Sequence, residues 1–170
     1  AIAWVYWFWS RRLVLRPWRT TLLFLALPLL PALLVTGTVN ALNYHWYGVF
    51  RNNDFRSADF LSAYGALSRI KHDQWQRYVV FPEDARERAY RFSPAARELQ
   101  PSFEGRLGEA WRQVGCSHTG ITPCPEILSG WFMWALRDAV AAAGHYRSAT
   151  ETSAFYTRLA SEINAACDQH

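Results

Sequence analysis

The alternation of apolar and polar positions divides the chain into two unequal parts. From Thr21 to Val39 the stretch TLLFLALPLLPALLVTGTV holds nothing more polar than threonine. Between Arg19 and Arg51 lie 31 residues without a formal charge, taking His45 as neutral. Helical geometry makes the 19 residues of the apolar stretch roughly 28 Å long, close to the hydrocarbon thickness of a bilayer. A core helix of that length in a soluble domain needs a polar face, and this one has none. The pattern predicts a transmembrane helix over residues 20–43, following a short segment at 1–19.

Beyond residue 44 the pattern becomes amphipathic and helical. Asn53 or Asp54 is placed to cap a helix that aligns Phe60, Tyr64, Leu67 and Ile70 on one face. FPEDARERAY puts Pro82 and two acids at a helix start and Arg86, Arg88 and Arg91 toward its end, the order that complements the helix dipole. Ser93 before Pro94 starts a short helix. Ser102 is expected to open the next, which carries Leu107, Trp111 and Val114 and closes at Gly115. GWFMWALRDAVAAAGHY reads as a buried helix ending at Gly144, and Ser148 with Glu151 forms a capping box for a last helix bearing Phe155, Leu159, Ile163 and Ala166. Only RYVVF, residues 77–81, has the character of a strand. The expected fold is all-α: one N-terminal transmembrane helix, or two membrane or interfacial segments, followed by an irregular helical domain over 44–170.

Charge fixes the orientation. The formal net charge is +4, and from Ala41 onward the chain has 14 basic and 14 acidic residues. The whole surplus is therefore Arg11, Arg12, Arg16 and Arg19, beside the apolar run. Arginines flanking a span are retained on the cytoplasmic side, so the larger domain is expected in the periplasm of a bacterial inner membrane. Trp18 at one end and Tyr44, Trp46 and Tyr47 at the other suit the two headgroup layers. The pI near 9 thus reflects topology, and nucleic acid is not an expected partner. SRRLVLR also has the form of a twin-arginine export signal, which would make the apolar run removable. Against that, AIAWVYWFW is a poor polar leader and the small-residue pattern after Val39 is weak. The aromatic first ten residues suit either an interfacial segment or the end of an earlier span.

Pro28 and Pro31 lie inside the run, so a kink is expected near 24–27. Past them, Ala32, Thr36 and Asn40 recur every four residues, with Gly37 and Ala41 alongside as a small-xxx-small pair. Such stripes let helices approach and hydrogen-bond in lipid, so the expected partners are other transmembrane helices of a larger complex, besides the bilayer itself.

Candidates for chemistry are few. Cys116 and Cys124 close the loop CSHTGITPC and are expected to form a disulfide in an oxidising compartment, leaving Cys167 odd. His45, among the aromatics at the outer end of the span, is the one candidate ligand for a haem iron or chlorophyll magnesium; an aromatic belt containing one histidine is the plainer account. No metal-ligand spacing, nucleophile elbow or phosphate loop occurs, and no cofactor is expected. Asp138 shares a helical face with Trp131, Trp134 and His145, which makes it the one candidate acid; pairing with an arginine such as Arg137 is the alternative. Trp75, Trp111, Trp131 and Trp134 are either core or the lining of a groove.

RFSPAARELQPSFEG, GWFMWALRDAVAAAGHY and YTRLASEINAACD together resemble a segment of uncharacterised bacterial integral-membrane proteins, over roughly residues 55–168. The resemblance implies no activity. It does imply a chain continuing past Cys167 to a further cysteine. The expected function is that of a non-catalytic accessory subunit of a respiratory or photosynthetic type of membrane complex. An enzyme or transporter fragment acting on an envelope lipid or glycan through Asp138, and a periplasmic ligand-binding module, are the alternatives.

Overall fold

The computed structural model describes residues 18–124 and 126–169. Arg11, Arg12 and Arg16, with the rest of the N-terminal segment, lie outside the described residues, and Arg19 falls in the first helix. Helix α1 (Trp18–Ala26) and helix α2 (Leu29–Tyr47) together form the apolar rod, and 22–47 is long and apolar enough to cross a membrane. The break between them has the expected cause. Pro28 has no N–H to offer one turn back, and Leu30 N–H reaches only to the Leu27 carbonyl, at 3.3 Å. None of α2 is buried. It ends where Gly48 takes a left-handed φ of 73° and donates to the Tyr44 carbonyl.

The domain is all-helical, with no strand among the described residues. After a 3₁₀ turn at Asp54–Arg56 come α3 (Ala58–Ser68), α4 (Glu83–Phe92), α5 (Pro94–Phe103), α6 (Arg106–Thr119), α7 (Ser129–Ala142) and α8 (Ala149–Gln169). Helices α3 and α8 are the main pair and run in the same direction, since Asp59 meets Ser153 at one end and Arg69 meets Asn164 at the other. Ala63, Ala66 and Ala160 are buried between them, and small side chains let the axes approach. On α8 the buried positions Thr152, Phe155, Tyr156, Leu159, Ala160 and Ile163 follow the three-four spacing of one helical face. Phe132 of α7 is at the centre, 5.3 Å from the rings of Tyr64 and Phe81 and 6.1 Å from Phe103. At 1% exposure, it contributes about 1.5–3 kcal/mol by burial.

Several local expectations need correction. RYVVF is not a strand: Tyr78 takes φ 65°, which breaks the extended run, and pairing shrinks to one antiparallel bridge between Val79 and Leu128. Ser102 opens no helix, because α5 runs through Pro101 and Ser102 to Phe103 and the next helix is capped by Gly105. Gly115 does not close α6, which runs on to Thr119 and ends at Gly120 with φ 70°. Gly115 instead lies under Trp131, where a Cβ would come 2.9 Å from the ring. Asn53 caps the 3₁₀ turn, and Ser57 caps α3. The Ser93 cap, the Ser148 hydroxyl accepting from Glu151 N–H, and the left-handed Gly144 after α7 are as expected.

Candidate functional site

The apolar helix presents its small and polar stripe uncovered. Ala32, Thr36 and Ala41 are exposed and Gly37 and Asn40 half-exposed. Space is open around the Gly37 Cα, and the Asn40 side-chain oxygen is shielded from solvent without a hydrogen-bond partner. An amide oxygen in that position lacks a donor that water would otherwise supply. His45 is exposed and packs edge-on to Trp46, with ring centroids 5.7 Å apart.

The rod is built into the domain through a polar collar. Asn43 donates to the Arg51 backbone carbonyl. The Arg51 guanidinium is 3.1 Å from Asp54 and bonds both carboxylate oxygens of Asp59, at 3.0 and 3.2 Å. Burial opposes the Asp59 charge, but hydrogen bonds from Ser57, Ser153 and Arg51 outweigh it and hold its pKa below the ordinary aspartate value. Helix α2, the 3₁₀ turn, α3 and α8 are therefore tied at one point.

Asp138 lies elsewhere, half-buried. Its carboxylate accepts the Trp111 indole N–H at 3.1 Å, with the Arg137 guanidinium 4.0 Å away. Trp131 stacks on Trp111, Trp134 turns away to Phe55 at 4.5 Å, and His145 bonds Glu98 at 2.7 Å while stacked on Phe155. The shared face thus spreads over three separate contacts. Trp75, 79% exposed, is part of no core.

Among the described residues the domain buries two charged groups, Arg86 at 2% exposure and Glu126 at 4%, and Arg86 is the centre of their network. Its Nε donates to Glu104 at 2.7 Å and its Nη1 to Glu126 at 2.7 Å and to the Phe81 carbonyl at 3.1 Å. Tyr90 donates to Glu104, and Glu126 also accepts the Glu83 N–H, each at 2.9 Å. Burial raises the Glu104 pKa, but Arg86 more than compensates and the group stays below the usual glutamate value. Burial, with the Glu104 charge, pushes Tyr90 well above the ordinary tyrosine range. Every polar atom named here has a partner, so the cluster staples α4, α5 and the segment before α7 together. The signal for it was present in EDARERAYRF: Arg86 is four residues before Tyr90, on the face that also holds Ala85 and Ala89.

The same segment is closed by the Cys116–Cys124 disulfide, with Cα atoms 5.6 Å apart. Such a bond belongs to a domain outside the reducing cytoplasm. Replacing both cysteines by alanine is expected to cost about 2–3 kcal/mol, the loop-closure value for so short a ring. Urea midpoints of the two proteins measure it, and coincident midpoints would mean that Glu126 and α7 hold the loop unaided. Cys167 is free and half-buried.

No group of three or more potential metal-ligating side chains occurs among the described residues. The chain matches no protein-family model, no curated protein and no solved structure.

Proposed function

We propose that this chain is a membrane-anchored, non-catalytic accessory subunit, whose apolar helix docks against other transmembrane helices and holds the disulfide-bonded domain on the periplasmic face. The reading rests above all on the helix face of Thr36, Gly37 and Asn40. It is exposed or half-exposed, has open space at Gly37 and carries a shielded, unpartnered amide oxygen. Lipid tails supply no donor for that amide and no packing preference for the glycine, whereas a second helix, met by a turn of the Asn40 side chain, supplies both. A retained anchor is favoured over a removable signal because Val39 lies in the interior of the continuous helix α2, whose last turns the collar ties to the domain through Asn43. The arginines on the N-terminal side give the orientation.

The test is gentle solubilisation of the native membrane, followed by size fractionation and intact mass measurement. The expected result is migration in an assembly much larger than 19.6 kDa, with residues 20–43 present in the mature chain. Gly37→Leu and Asn40→Leu are each expected to release the subunit while leaving the melting of its domain unchanged. A chain that runs alone in mild detergent, or one that lacks the apolar helix, overturns the proposal.

A further inference from the structure

We infer that a cleft at the end of the domain far from the apolar helix binds a single-chain amphiphile with an anionic head. Helices α3 and α8 both start at the collar and run away from it, and the cleft lies where they finish, against α4. Its volume is about 350 Å³, at the small end of the range for ligand pockets. Ile70, Ala89, Phe92, Ile163 and Ala166 make the interior predominantly apolar. The charged residues that line it are all of one sign: Arg69, Lys71 and Arg88, with no carboxylate among them.

The state of those cations defines the ligand. Arg69 bonds Asn164 and Asp168, and Arg88 bonds the Lys71 carbonyl and Asp73. Asp84, a further 4.0 Å contact of Arg88, spends its oxygens on the backbone N–H groups of Asp73, Gln74 and Ala85. The Asp73 and Asp168 partners are themselves 76% and 70% exposed, so these pairs are worth little and yield readily to a competing anion. Lys71, the one lysine in the sequence, has no ion pair among the described residues and is exposed on a flexible stem. A hydrocarbon chain fills the apolar interior, and a carboxylate or phosphate head meets Lys71 and the two guanidinium groups at the edge. An alkylammonium head meets the cations that line the cleft first and has to reach outward past them to Asp73 or Asp168. The volume matches one alkyl chain and is too small to hold both chains of a diacyl lipid inside the cleft. This inference is independent of what the apolar helix docks against.

Cys167 supplies the readout, because this half-buried thiol lines the same cleft and is the free cysteine of the described residues. The full chain, held in lipid nanodiscs so that no detergent competes, is alkylated with N-ethylmaleimide and followed by intact mass. Dodecanoate and dodecyl phosphate are the probes, and dodecyltrimethylammonium is the control. An anionic probe at ~9 times its Kd is expected to slow alkylation about tenfold, by simple occupancy. Dodecanoate acting at the lower concentration assigns a free fatty acid; dodecyl phosphate doing so assigns a phosphate-headed single-chain lipid. Lys71→Gln, measured against its own ligand-free rate, is expected to raise the half-protecting concentration about fivefold, the size of one exposed ion pair. Ala166→Trp, which fills the cleft, is expected to reduce binding of radiolabelled dodecanoate to that of empty nanodiscs. Unchanged alkylation with both anionic probes, equal protection by the cationic one, or full dodecanoate binding by Ala166→Trp overturns the inference.

Discussion

Replacing Arg86 by methionine is expected to destabilise the domain by about 3–5 kcal/mol, the penalty for leaving a buried charge without its partner. The large value follows from what remains behind. Glu126 is 4% exposed and would keep a single donor, the Glu83 N–H, while the Phe81 carbonyl loses the guanidinium altogether. Water cannot take over at this depth without opening the segment that Cys116 and Cys124 close. Arg86→Lys retains the charge but not the fork, since one ammonium cannot meet Glu104 and Glu126 in the directions that Nε and Nη1 now do. It is expected to lose a smaller part of the stability. Pairing Arg86→Met with Glu126→Gln removes both charges and should recover much of the loss, because the unpaired carboxylate is the main cost. Urea unfolding of the four proteins, followed by helical content, measures the series. A loss under about 1 kcal/mol for Arg86→Met would place the network in contact with solvent, against its burial.

Why the sequence pointed to Asp138 and passed over Arg86 has a physical explanation. Asp138 draws notice because it sits in one continuous tryptophan-rich helix, a feature visible along the chain. The partners of Arg86 lie 18 and 40 residues away, one at the end of α5 and the other in the segment before α7. Nothing in a helical period announces pairs separated in that way. A cation on the buried face of α4 is a legible anomaly, but its neutralisation is a tertiary fact. The apolar rod was legible for the opposite reason: its length and lack of polarity lie in one uninterrupted stretch of sequence, and Pro28 breaks the helix where its missing donor requires. Caps at Ser93, Ser148 and Gly144 were legible because they are local chemistry. The start of α6 was misplaced because Ser102 is a good cap by type, yet α5 simply continues through it to Phe103, and the corner is made by Gly105 at the cap of α6 and Gly108 in its first turn.

Those glycines carry the second large effect, with Gly108→Ala expected to cost about 3 kcal/mol or more, the upper end for overpacking. An added Cβ at Gly108 would stand 1.8 Å from the Phe103 carbonyl oxygen and 2.7 Å from its carbon. Both are backbone atoms, so no rotamer relieves the contact and the corner between α5 and α6 must open. Opening it draws Phe103, 3% exposed, away from Phe81 and Phe132. It also shifts Glu104, the next residue, from Arg86 and Tyr90. The steric and ionic effects are therefore one mechanical unit. A double-mutant cycle between Gly108→Ala and Glu104→Gln should show a coupling of roughly 0.5–3 kcal/mol, where independent sites would add. Gly65→Ala in α3 is the matched control: nothing lies within 4 Å of its Cβ position in the interior of the helix, so the helix is expected to gain about 0.5–1 kcal/mol. If the two glycines respond alike, the corner is loose, and the close approach that places Glu104 beneath Arg86 does not govern the stability of the domain.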